Sequence, residues 1–148
     1  MATYTQVLYH IVYGTKNHNG TLDLERHNEL CRYTAGVLQN KKCFVHKVGG
    51  YTEHLHILTE LHPSIALADL VKDTKLAQSK WIKTKKIFPA FDGWQDGYGA
   101  FTCSWKDTER IIHYIANQIE HHRHKTFREE YIEMLQRAGI EFDERYLC

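Results

Sequence analysis

No stretch of this 148-residue chain approaches the roughly 20 consecutive apolar residues of a bilayer-spanning helix, so no membrane span is expected. The opening MATYTQ lacks the basic-then-apolar layout of a secretory signal. Cysteine is sparse and scattered. Cys31, Cys43, Cys103 and Cys148 form no C-x-x-C pair, which argues against a zinc knuckle or a dithiol redox motif. A cytoplasmic chain with reduced thiols is the expectation. An excess of one charge is also missing: the formal net charge is +1, so bulk electrostatics do not announce a nucleic-acid binder. Eleven histidines soften that exclusion, because partial protonation below neutral pH adds positive charge. Repeats, low-complexity tracts and linkers are absent, and the length fits a single domain over residues 1–148 with a real core.

What is present is organised. Val7 to Tyr13 is a β-branched and aromatic run that predicts a strand. Turn residues Asn17 to Gly20 follow, and residues 23–40 predict a helix with Leu30, Tyr33, Val37 and Leu38 on one face. Cys43 to Val48 and Tyr51 to Glu60 predict an antiparallel pair of strands separated by Gly49-Gly50. Ser64 is placed to cap a helix whose buried face is Leu67, Leu70, Val71, Thr74 and Trp81. An aromatic, glycine-rich loop over 87–100 leads to a fourth strand near 99–105. Asp107 precedes a helix predicted over 108–123, and Thr126 with Glu129 forms a capping box for a last helix that Gly139 ends. Strand, helix, strand, strand, helix, strand is the ferredoxin-like split βαβ order. The expected fold is therefore α+β: a four-stranded antiparallel sheet with helices on one face, plus two C-terminal helices.

The third strand carries the most informative feature, His54-Leu55-His56. Alternate strand residues share a face, so the two imidazoles project side by side, onto the free face of the sheet if Leu55 and Ile57 enter the core. Two such imidazoles are ready ligands for a divalent metal. On the 108–123 helix, at about 100° per residue, Ile111, Ile112, Ile115, Ala116 and Ile119 form an apolar stripe, and Tyr114, Gln118 and His121 form a polar flank beside it. His54, His56 and Gln118 together make a three-ligand metal site with open positions, with a phenol one helical turn from the third ligand.

Such a set suits phosphoryl transfer. A phenol of pKa about 10 is a weak nucleophile at neutral pH, and a bound Mg²⁺ or Mn²⁺ assists by polarising the phosphoryl oxygen. Attack by Tyr114 gives a phosphotyrosine link and a free hydroxyl. One ester replaces another, so a strand can be rejoined without ATP. Lys72, Lys75, Lys80, Lys83, Lys85 and Lys86 surround a single acid, Asp73. They read either as a solvated helix face or as a nucleic-acid-binding, phosphate-contacting patch.

With these residues in place, the sequence resembles the small single-tyrosine HUH transposases of insertion sequences that move as single-stranded DNA, with the REP-associated tyrosine transposases as relatives. The resemblance runs nearly end to end, through TYTQVLYHIVYGTK, GGYTEHLHILTEL, WQDGYGAFTCS, YIANQIEHH and FREEYIEMLQRAGIEFDERYL. It implies that His54, His56 and Gln118 hold the metal. Tyr114 would be the catalytic residue that becomes joined to a 5′ phosphate of cleaved DNA. The implied partners are single-stranded DNA with hairpins at the element ends and a second copy of the chain, the two sheets joining edge to edge. Two features depart from the pattern: relatives are often more basic, and they often carry aspartate where this chain has Glu53. Two other readings stand beside this one: a ferredoxin-like domain that binds single-strand hairpins without cutting, and a hydrolytic metal nuclease that leaves no protein–DNA adduct.

Overall fold

A computed structural model describes residues 2–147, so Cys148 lies outside the described residues. In chain order the elements are β1 (Leu8–Gly14), α1 (His27–Asn40), β2 (Val45–Tyr51), β3 (His54–Glu60), α2 (Leu67–Lys85), β4 (Gly99–Thr102), α3 (Thr108–Ala116), α4 (Gln118–His121) and α5 (Phe127–Arg137). The sheet order is β2-β3-β1-β4, with every neighbouring pair antiparallel. This is the ferredoxin-like arrangement that the element order predicts. No helix among the described residues is long and apolar enough to cross a membrane.

Strand alternation sorts the side chains into two layers. Ile11, Tyr13 and Ile57 pack with Leu38, Cys43, Leu70 and Val71, and Leu55 packs with Leu22, Leu30, Ile82, Phe88 and Phe91. This layer lies under α1, α2 and the aromatic loop. On the other face, Leu8 and Leu58 meet Ile111 and Ile115, while Val12 meets Phe127, Tyr131, Leu135 and Leu147. The histidine-bearing face, expected from the sequence to be free, is therefore covered. The helices from α3 onward cover it, and they turn the expected surface site into an interior one.

Several boundaries differ from expectation, each for a local reason. Gly49 and Gly50 lie inside β2 rather than between strands. A Cβ at Gly49 would stand 2.8 Å from Ile115 Cγ2 and 2.9 Å from the Ile115 carbonyl oxygen, so this glycine lets the tyrosine helix settle on the sheet. The turn falls instead at Thr52-Glu53. Residues 24–26 form a 3₁₀ turn ahead of α1. Helix α2 begins only at Leu67, because Ser64 is engaged with His62, 2.7 Å from its Nδ1. Its buried face includes Gln78 and Ile82, while Trp81 is only partly buried and stacks on Tyr33. Strand β4 stops at Thr102, and the Asp107 side chain, ahead of α3, accepts no capping hydrogen bond. The capping box at Thr126 and Glu129 is present, and Gly139 takes a left-handed φ of 68° just past α5.

Candidate active site

His54 and His56 come from the edge of β3 that pairs with β1, opposite Gly14 and Val12. Both are fully buried. Phe127 of α5 lies flat on the His54 ring, 4.2 Å between centroids. The outward nitrogens are fixed by neighbours. His54 Nδ1 lies 2.7 Å from Glu53 Oε1, and His56 Nδ1 lies 2.8 Å from His10 Nε2. Without a cation, Nε2 of His56 donates to Glu130 Oε1; with a cation bound, a partner at Nδ1 would take the ring proton and leave the Nε2 lone pair for the metal. Glu53, a departure from the resembled pattern, thus orients one of the two imidazoles.

The helix predicted over 108–123 breaks at Asn117, whose φ and ψ are −98° and 19°. Tyr114 ends up on α3 and Gln118 opens α4. The Tyr114 carbonyl instead accepts from the Gln118 side-chain amide at 3.4 Å. The break rotates Gln118 inward, where it is 1% exposed, and turns Ile119 outward to 48% exposure. The expected apolar stripe therefore ends early: Ile111 and Ile115 are buried, and Ala116 is exposed.

Sequence reasoning missed the residue that ties these groups together. Glu130, on α5, is 1% exposed. Its Oε1 lies 3.1 Å from His56 Nε2, 3.3 Å from His122 Nε2 and 3.4 Å from His54 Nε2. Its Oε2 accepts from the Tyr114 hydroxyl and, at 3.1 Å, from Gln118 Nε2. Gln118 Oε1 in turn lies 2.8 Å from His54 Nε2 and 3.0 Å from His122 Nε2. One carboxylate therefore bridges the imidazole cluster and the phenol within a single subunit.

Burial shapes the electrostatics. His10 is pushed down to about 3, by burial first and then by neighbouring His56. Burial also lowers His56, against the pull of Glu130. The Tyr114 hydroxyl is raised, by burial and then by the Glu130 charge. Burial alone would raise the Glu130 carboxyl, but hydrogen bonds from His122 and His56 outweigh it and hold the group ionised. Burial likewise lowers His18, His27 and His121. A histidine whose folded-state pKa is depressed binds fewer protons folded than unfolded, so stability is full above about 6.5 and drains away as the pH falls below it. For His10 alone the loss at about pH 5 is about 2 kcal/mol. Urea unfolding at pH 5 and 7 is the check, and equal stability at the two would contradict the buried, neutral histidines.

The donor set fits a divalent cation. Ligand atoms of His54, His122 and Glu130 all lie within 4.8 Å of one another, with Gln118 Oε1 and His56 Nε2 at their margin. Imidazole nitrogens with carboxylate and amide oxygens suit Mn²⁺ well, and Mg²⁺ with more help from water and phosphate. His54, His56, Gln118 and Tyr114 are thus brought together, and the structure adds His122 and Glu130. The lysines are not part of this cluster, since α2 packs on the opposite face of the sheet. Lys75 is occupied, donating to the Gln95 carbonyl at 3.0 Å and lying over the Tyr13 ring. The other five are exposed.

The family profile described as "Transposase IS200 like" matches residues 3–118. No curated protein matches the chain. Among solved structures, a protein assigned as a transposase from Deinococcus radiodurans R1 is similar at TM-score 0.61 and 22% identity, covering 80% of this chain and 95% of that one. A REP-associated tyrosine transposase bound to a REP hairpin is similar at TM-score 0.58 and 16% identity, covering 82% and 74%. At these identities the two structures establish a shared fold.

Proposed function

The chain belongs to the IS200-like transposase family, and from that premise we propose that it cleaves and rejoins single-stranded DNA through Tyr114. The carrying observation is the Glu130 bridge, which joins the Tyr114 hydroxyl to the His54, His56 and His122 cluster inside one subunit. Tyr114 is the nucleophile. Its oxygen bonds to phosphorus, the bond from phosphorus to the 3′ oxygen breaks, and that oxygen leaves as a hydroxyl once protonated. The phenolic proton passes through Glu130 Oε2, its existing acceptor, and by way of solvent to the leaving 3′ oxygen, so that Glu130 ends ionised as it began. The product is a 5′-phosphotyrosine, which a second 3′ hydroxyl can attack to reseal the strand.

His54, His56 and Gln118, supported by His122 and Glu130, would hold the Mg²⁺ or Mn²⁺ that polarises the phosphoryl oxygen. Glu53 and His10 hold the imidazoles in register for it. Residues 1–148 act as a single domain on this reading. The substrate is a single strand bearing hairpins, in keeping with the hairpin bound by the structurally similar REP-associated protein. The expected assembly is a homodimer with sheets joined at an outer strand. The exposed lysines of α2 supply phosphate contacts remote from the reacting centre.

The test is direct. Incubation with a hairpin-bearing single strand and Mn²⁺ gives an adduct that survives denaturant and is lost with a chelator. Cut DNA without any adduct would point to hydrolysis, and DNA binding without cutting would point to a binding module.

A further inference from the structure

Beside Tyr114 lies a second feature that the imidazole cluster does not use. A cavity of about 390 Å³ opens between the end of β4, α3 and the last turn of α5, with Phe101, Arg110, Ile111, Tyr114, Met134 and Arg137 in its lining. Its volume is near the small end of the ligand-pocket range, about 300–1,000 Å³. That is room for one nucleotide and too little for a base pair.

The chemistry of the lining is divided. Phe101, Ile111 and Met134 offer apolar surface, with Phe101 held edge-on to His10 at 6.3 Å. Arg110 and Arg137 are both exposed. Arg137 has no ion pair among the described residues, and Arg110 has only a solvent-facing contact with Asp107 at 3.7 Å, which contributes little. Two guanidinium groups are therefore free for an anion, next to an aromatic face and next to the nucleophile. Phosphate contacts from arginine and base stacking on an aromatic ring are the two elements of single-strand recognition.

We propose that this cavity seats the unpaired nucleotide flanking the scissile phosphate, its base against Phe101 and Met134 and its phosphates on Arg110 and Arg137. The proposal rests on the strand-transfer reading, and it assigns to α5 a role in substrate placement. A base held in a duplex could not enter, so the pocket selects a strand that is already single.

The chain has two methionines, so ¹³C-methyl methionine labelling yields one reporter, Met134, inside the cavity. Met134→Leu identifies its signal. Titration with an oligothymidylate of about eight nucleotides should shift that signal saturably, in step with binding followed by fluorescence anisotropy. Replacing both Arg110 and Arg137 by Gln should weaken binding about tenfold and flatten the salt slope by about 1.4, two phosphates at about 0.7 each. Binding by anisotropy with the Met134 signal unmoved, or an unchanged salt slope in the double variant, overturns the cavity proposal while leaving the strand-transfer reading intact. A shifting Met134 signal with no covalent adduct on a hairpin substrate overturns strand transfer, and with it the assignment to the scissile position. An oligonucleotide that does not bind at all overturns the cavity proposal, and strand transfer is then decided by the adduct on the hairpin substrate alone.

Discussion

Tyr114→Phe is expected to abolish the denaturant-resistant protein–DNA adduct while DNA binding persists. The change removes one oxygen, the atom that would bond to phosphorus. No neighbouring group can replace it. Glu130, which accepts its hydrogen bond, would give an acyl phosphate open to hydrolysis. The adduct rate should fall at least about a thousandfold. The ring remains, so its edge contacts with His56 and His10, 5.6 and 6.2 Å between centroids, and its wall of the adjoining cavity survive. Some stability is lost because Glu130 loses a donor; a hydrogen bond to a charged group contributes about 1.5–3 kcal/mol. Tyr114 is only partly buried, so water can replace part of that. Denaturing gel analysis with labelled DNA reads the adduct, and anisotropy reads binding. Cleavage that persists in Tyr114→Phe would replace the tyrosine mechanism with a water-based one.

The parts of this site that lie in local pattern were legible in the sequence. His54-Leu55-His56 declares its shared face through strand alternation alone, and Tyr114 and Gln118 show their kinship through helical spacing. Contacts made across the fold were not. The break at Asn117 involves neither proline nor glycine; the Gln118 side chain accommodates it by bonding the Tyr114 carbonyl. The depth of the histidines depends on which helices close over the sheet, and so could not be read from β3. Truncating His54 or His56 to Ala removes a fully buried ring and should destabilise the protein as well as impair metal binding. Glu130 did leave a signal. It falls with Phe127, Tyr131 and Leu135 on the buried stripe of α5, and a lone acid on an apolar stripe needs a buried partner. His122 left less, lying in the His121-His122-Arg123-His124 run whose exposed members hide it.

Glu130 is where the second large effect should appear. Glu130→Ala leaves the Tyr114 hydroxyl, the Gln118 amide and the Nε2 atoms of His56 and His122 without their shared acceptor, and breaking a buried charged network costs about 3–5 kcal/mol. Glu130→Gln preserves shape and one oxygen but turns an amide donor toward either the imidazoles or the phenol, so it should fold better and still act poorly. The pH dependence separates charge from shape. The Glu130 carboxyl is held far below its ordinary value of 4.5, so its contribution is complete above that value and is lost as the pH falls beneath it. Glu130→Gln should lack that part of the acid transition. A purely structural carboxylate would also leave cation binding alone, which gives a second readout. In the wild-type protein, Mn²⁺ at 100 times its dissociation constant should add about 2.7 kcal/mol to the unfolding free energy. Glu130→Gln should lose most of that gain and form adduct at least about tenfold more slowly per folded molecule. If Glu130→Gln instead kept the wild-type Mn²⁺ stabilisation and adduct rate, Glu130 would be reduced to a packing element of α5, and the bridge between phenol and imidazoles would have no part in the chemistry.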